Sequence, residues 1–318
     1  MNRPSNFTAE AENRIKPLTL LWCTDLHNDI AAFNEILRIY HKFNTYIKDI
    51  IHTGDIVEKN GETMYNMSAW FDPFYGSEKI LNCVGNHDEF DASYGRTRTA
   101  IDTYNNIIKN YVQYWDVVQP TSAETNGLNY YYKDYTDQNQ NIRLIVLDCI
   151  YWDAAEETWL ESVLADSLTN NKSVICATHY LPAKVNPFET PFSTRLPSWP
   201  INSTFLNSTA VQAVQDFIDN DGTFICWLSG HIHKDCIGTL VDYPQQLSIT
   251  CTAALGASTT YHDTNRSILT ENYHAFNLIA FDTNKKYIKI ARIGAQYDEF
   301  LRKKDTLTVN YENQTIVI

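Results

Sequence analysis

Apolar residues in this chain come in short runs, each ended abruptly by a polar turn, with amphipathic stretches between them. Residues 18–23 (LTLLWC) form the first run, which stops at Thr24-Asp25. A helix is predicted after it, because Ile30, Phe33, Ile36 and Leu37 recur at helical spacing. Residues 46–51 and 80–84 are two further buried strands, ending at Thr53-Gly54-Asp55 and Gly85-Asn86-His87. Strand, helix and strand at intervals of about thirty residues are the signature of βαβ units and a parallel sheet.

Residues 95–117 read as a helix with one apolar face. Residues 130–132 and 142–147 read as a hairpin joined by the polar turn 137–141, and 158–168 as an amphipathic helix carrying Trp159, Leu160, Val163 and Leu164 on one side. Two more buried strands, 173–177 and 223–228, end at His179 and at Gly230-His231. Between them, residues 181–208 are irregular and rich in Pro, Asn, Ser and Thr, with Phe188, Phe192, Arg195 and Trp199 as a cover or a substrate-contacting loop. From Asp235 onward, alternating runs such as 287–290 predict antiparallel strands that complete a second sheet. No linker or repeat interrupts the pattern, so residues 1–318 are expected to form one domain.

Five polar clusters follow these runs: Asp25-Leu26-His27, Gly54-Asp55, Gly85-Asn86-His87-Asp88, His179 and Gly230-His231-Ile232-His233. Functional groups in open α/β sheets gather beyond the carboxyl ends of the strands, and the clusters fall there. Each alone is an ordinary turn; their ordered conjunction is not. Together they supply ligands for two adjacent metal ions and one spare histidine. Residues i and i+2 share a face, so Asp25 with His27, and His231 with His233, present their donors together. A mixed nitrogen and oxygen set suits Mn, Fe, Zn or Ni, as divalent or mixed-valence ions, rather than calcium. Two such ions clamp a phosphoryl group and lower the pKa of a water between them, which points to phosphate-ester hydrolysis. Asp55 is the natural bridge, because a carboxylate has two oxygens to share. His87 suits a general acid that protonates the leaving alkoxide, with Asp88 or another acid orienting it. His41, His52, His262 and His274 are read as structural.

Charge narrows the partners. Lys+Arg of 25 against Asp+Glu of 38 gives a net charge of -13, which disfavours nucleic acid and leaves a small or exposed phosphorylated substrate captured by the metals. Seven cysteines, an odd count without a Cys-x-x-Cys pair, are expected as buried thiols in a reducing compartment. The N-terminal residues lack the apolar core of a signal peptide, and no segment reaches the ~20 apolar residues of a membrane span. A cytoplasmic protein with no membrane contact is the expectation, while oligomeric state is not legible.

The five blocks, D-x-H, G-D, G-N-H-[DE], H and G-H-x-H, resemble those of the calcineurin-like metallophosphoesterase superfamily. The resemblance implies an α/β fold, a four-layer α-β-β-α sandwich of two mixed sheets with a dinuclear site at the strand ends. It implies that Asp25, His27, Asp55 and His233 hold the first metal, and that Asp55, Asn86, His179 and His231 hold the second. His87 matches the catalytic histidine. The run Gly54-Asp55-Ile56-Val57-Glu58-Lys59-Asn60 lacks the arginine of the Ser/Thr protein phosphatases. Glu58 also stands where purple acid phosphatases carry tyrosine. What remains is similar to the bacterial and phage-type phosphoesterases, phosphodiesterases included. A non-catalytic scaffold of this fold and a nuclease-type member are the alternatives; the intact ligand set opposes the first and the acidic charge the second. Monoester or diester preference is left open.

Overall fold

The structure is a computed structural model and describes residues 16–57, 80–88, 116–136, 140–188, 205–233, 235–251, 254, 274–294 and 306–317. Strands β1 (Leu18–Cys23), β2 (Ile50–His52) and β3 (Ile80–Asn82) pair in parallel, with α1 (Ile30–Phe43) as the connection between the first two. Asp29 caps α1 by accepting from the Ala32 amide at 2.9 Å, and the face carrying Ala32, Phe33, Ile36 and Leu37 is buried. Strand β2 is shorter than the run 46–51 predicts. The Tyr46 amide donates to the Phe43 carbonyl at 2.8 Å, so the start of that run finishes the helix instead.

The second sheet follows α2 (Thr121–Asn126). It holds β4 (Tyr131–Tyr135), β5 (Ile142–Val146), β6 (Ser173–Ala177), β7 (Val185–Pro187), β8 (Phe224–Ser229), β9 (Cys236–Leu240) and β10 (Leu247–Thr250). Its order is β4-β5-β6-β8-β10-β9-β7, with β5, β6, β8 and β10 parallel and the rest antiparallel. Helices α3 (Ala154–Thr169) and α4 (Ser208–Asp219) connect β5 to β6 and lead into β8.

The C-terminal strands depart from expectation. Among the described residues, only β9 and β10 of these join the second sheet. Strands β11 (Ala275–Asp282), β12 (Tyr287–Gly294), β13 (Thr306–Asn310) and β14 (Thr315–Val317) extend the first, in the order β14-β13-β12-β11-β1-β2-β3. Alternation identifies a strand and its buried face but not its neighbour. Here β1 is the reason: Leu20, Leu21 and Trp22 are fully buried, so the strand is covered on both faces and takes β11 along its free edge, from Leu18 opposite Phe281 to Trp22 opposite Asn277.

Side chains alternate between two cores. Leu144, Val146, Ile175, Ala177 and Leu228 face the first sheet and share one cluster with it and with α1. Their neighbours Ile145, Leu147, Val174, Cys176 and Trp227 face outward and pack under α3 and α4. Two mixed seven-stranded sheets with helices outside them give the four-layer α/β sandwich. All seven cysteines are buried free thiols. Among the described residues no helix is long and apolar enough to cross a membrane. The helix expected over 95–117 lies outside the described residues apart from its last two positions, which are not helical. Residues 137–139, Phe192, Arg195, Trp199 and His262 also lie outside them, whereas Phe188 packs half-buried against the inter-sheet core.

Candidate metal centre

Every cluster lies just past the carboxyl end of a parallel-paired strand: Asp25 and His27 after β1, Asp55 after β2, Asn86 and His87 after β3, His179 after β6, and His231 and His233 after β8. The turns are laced together by backbone bonds. Asp25 N donates to Gly54 O at 2.9 Å, His27 N to Asp55 O at 3.1 Å, and Gly230 N to His179 O at 3.1 Å. Five of these side chains stand on left-handed backbone, with φ of 52° at Asp25, 43° at His27, 58° at Asp55, 69° at His231 and 55° at His233. Such conformations cost roughly 1–3 kcal/mol each and persist only where the surroundings over-determine them.

The site residues fall into two groups that share Asp55. In each group the donor atoms lie within 4.8 Å of one another: Asp25, His27, Asp55 and His233 in one, Asp55, His179 and His231 in the other. In the first, His233 Nε2 is 3.1 Å from Asp25 Oδ1 and 3.2 Å from His27 Nε2, while His27 Nε2 is 3.8 Å from Asp55 Oδ2. In the second, His179 Nε2 is 3.1 Å from both Asp55 Oδ2 and Asn86 Oδ1, and the His179 and His231 rings lie 5.1 Å apart. Asp25 Oδ1 and Asp55 Oδ2 are buried without a hydrogen bond. Orphaned carboxylate oxygens facing converging imidazole nitrogens are costly unless a cation joins them, so these residues fit a pair of metal ions.

The other oxygen of each carboxylate is fixed. Asp25 Oδ2 accepts from Thr24 Oγ1 at 2.7 Å and from His231 N at 3.2 Å, and Asp55 Oδ1 accepts from His87 N at 2.8 Å. His179 is oriented by its Nδ1, 2.7 Å from the Thr53 carbonyl, which leaves Nε2 for the centre. Gly85 is required by close approach, since a Cβ there would collide with Asp55.

His87 stands half-buried with its ring 4.6 Å from that of His27, edge to face. Asp88, expected to orient it, does something else. Its Oδ2 accepts from Asp55 N at 3.0 Å and Gly85 N at 2.8 Å, and its Oδ1 from Val57 N at 3.1 Å. It braces the turns after β2 and β3 against each other. Residues the sequence did not single out include Thr24, Thr53 and Cys149, whose Sγ takes the Tyr180 amide at 3.4 Å beside His179. Adjacency to the ligand blocks is the signal that marks the two threonines. Among the remaining histidines, His52 is a buried β2 residue whose Nδ1 accepts from Gly54 N at 3.2 Å.

Burial and charge act against each other here. Burial pushes the Asp25 carboxyl up, but His233 and His27 hold it well below the usual carboxylate range. Asp55 is likewise buried, yet His179 holds it down. Burial pushes His179 down, but Asp55 and Asp25 raise it to about 9. Burial and the neighbouring His179 lower His231 to about 4. Desolvation and the nearby Asp55 raise Asp88 to about 6.

The calcineurin-like phosphoesterase family matches residues 18–235, more than half of the chain. No curated protein sequence matches. A dimetal phosphatase from Danio rerio has a similar fold at 13% identity, with a TM-score of 0.59, over 93% of this chain and 99% of that one. GAP50, the anchor in the inner membrane complex of Plasmodium, aligns at 12% identity and TM-score 0.47, over 90% of this chain and 87% of its own. A protein of Thermus thermophilus, TT1561, aligns at 9% identity and TM-score 0.44, over 93% of this chain and 99% of its own. The chain belongs to the calcineurin-like phosphoesterase family and is a dimetal hydrolase of phosphate esters.

Proposed function

We propose that this enzyme hydrolyses a small or exposed phosphate mono- or diester, with Asp25, His27, Asp55 and His233 holding one ion and Asp55, Asn86, His179 and His231 the other. The observation that carries the assignment is the convergence of two donor groups on one shared carboxylate, with a buried oxygen of Asp25 and of Asp55 that has no hydrogen-bond partner. When bound, the ions, Mn, Fe, Zn or Ni, supply Lewis acidity that activates water and neutralises phosphoryl charge.

The chain's own residues set the rest. Two carboxylates against two dications leave a surplus of roughly two positive charges facing the substrate. That local surplus explains how a chain of net charge -13 attracts a phosphate ester. Asn86 adds an oxygen ligand without adding negative charge, which preserves the surplus. His87, tethered through its amide to Asp55 and resting against the His27 ring, holds its imidazole at the edge of the centre and protonates the departing alkoxide. Asp88 fixes the backbone on which both Asp55 and His87 stand.

The test is hydrolysis of nitrophenyl phosphate, of bis-nitrophenyl phosphate and of an alkyl phosphate ester by Mn²⁺-reconstituted protein, beside His87→Ala. On an alkyl phosphate ester, whose alkoxide must take a proton to leave, general acid catalysis contributes about 10²–10⁴-fold, so the variant should bind two ions per chain and lose turnover by that order there, and by less on the nitrophenyl esters. Undiminished turnover of the alkyl ester by His87→Ala removes this histidine from the mechanism. Faster hydrolysis of the diester than of the monoester by the wild type identifies a phosphodiesterase.

A further inference from the structure

The family match ends at Asp235, yet the C-terminal strands beyond it reach back to the centre. Arg292, on β12, is buried among the sheets at 7% exposure, and its guanidinium is bound on two sides. Nη2 donates to the carboxylate of Asp235, itself 1% exposed and two residues after His233. Nε donates to Asn277 Oδ1 on β11 at 3.0 Å. The same amide side chain donates to Cys251 Sγ at 3.0 Å, and the Cys251 amide donates to Ser229 O at 3.2 Å, immediately before Gly230. A chain of bonds therefore runs from Asp235 through Arg292, Asn277 and Cys251 to Ser229. Its two ends are the two ends of the His231-Ile232-His233 turn.

We infer that Arg292 is a positioning residue for the metal centre: with Asn277 it clamps both ends of the turn that carries His231 and His233. The inference rests on the two-ion reading above. The turn needs a clamp, because both histidines stand in left-handed backbone, with φ of 69° and 55°. Strained ligands relax unless something fixed opposes them, and a buried planar guanidinium with paired acceptors is a rigid anchor. The anchor belongs to the first sheet and the turn to the second, so it also sets the distance between Asp25 and His27 on one side and His233 on the other.

The experiment is Mn²⁺ titration of the full chain, followed by loss of the free-ion electron paramagnetic resonance signal, for wild type, Arg292→Met, Arg292→Lys and Arg143→Met. Arg143 is the control. It forms ion pairs with Asp134 at 2.8 Å and Asp166 at 2.7 Å at the amino end of β5, the end opposite the ligand turns. Removing the partners that orient metal ligands weakens binding by about 10–100-fold. Arg292→Met should therefore bind at least one ion about tenfold more weakly, with Arg292→Lys in between because it keeps the charge opposite Asp235. Arg143→Met should melt earlier than wild type but bind both ions at wild-type affinity. Folded Arg292 variants with unaltered affinity for both ions would overturn the clamp, and where Arg292→Met does not fold, Arg292→Lys decides on the same terms. A wild type that fails to bind two Mn²⁺ ions sinks the two-ion reading instead.

Discussion

An alanine at position 54 would carry its Cβ 2.5 Å from His179 Nδ1 and would have to adopt a φ of 94°. Only glycine enters that conformation without strain, and only glycine leaves room for the ring that rests on the Thr53 carbonyl. Gly54→Ala should therefore cost about 1–3 kcal/mol of stability from backbone strain and displace His179 from Asp55 and Asn86. Chemical denaturation together with metal stoichiometry checks this. Normal stability with two bound ions would mean that the turn after β2 can rearrange freely. At single positions, Asp25, His27, Asp55, Asn86, His179, His231 and His233 could be named because five blocks, each an ordinary turn alone, follow buried runs in a fixed order. Asp88 belongs to such a block, but its part is to accept three backbone amides. A residue type at a given spacing does not distinguish that role from orienting His87.

At the level of elements, β1, β5, β6 and β8 were readable as short apolar runs cut off by polar turns, and α1 and α3 from apolar residues at helical spacing. The placement of β11 to β14 was not readable, since β1 and its partner β11 are separated by most of the chain and any open strand edge satisfies the same alternation. Buried polar contacts between elements are equally silent in the sequence, and Glu156 on α3 is one of them. Its side chain is fully buried, with Oε1 accepting from the Asp148 amide at 2.8 Å and Oε2 without a hydrogen-bond partner. Burial, reinforced by the Asp148 charge, pushes its pKa well above the ordinary carboxylate value. An acid whose folded value lies above its unfolded value, about 4.3, contributes stability that is present below the unfolded value and lost as pH rises toward the folded one. Glu156→Gln cannot ionise, so it should match wild type near pH 4 and gain on it as pH rises, by at most about 1.4 kcal/mol per pH unit. Urea denaturation of both proteins across that range reads the slope. A difference independent of pH would show that Glu156 does not carry its proton into the folded state.

The centre is assembled from both sheets of the molecule. The first sheet brings Asp25, His27, Asp55 and Asn86, and the second brings His179, His231 and His233. Each donor group crosses that boundary, since His233 joins the first group and His179 and His231 the second. The two sheets share a continuous apolar core, and their facing carboxylates and imidazoles converge where cations would join them. Metal binding is then folding energy for the whole sandwich: a ligand at one hundred times its dissociation constant adds about 2.7 kcal/mol. For a chain of 318 residues that corresponds to a melting point higher by about 4 °C, and a second ion adds to it. Calorimetry of chelator-treated protein against increasing Mn²⁺ should show the melting point climbing with the logarithm of metal concentration. Asp55→Asn should flatten that climb more than loss of any other single ligand, because its carboxylate is common to both groups. A melting point that ignores Mn²⁺ in the wild type would separate the ligand turns from the stability of the sandwich and leave the two sheets joined by apolar packing alone.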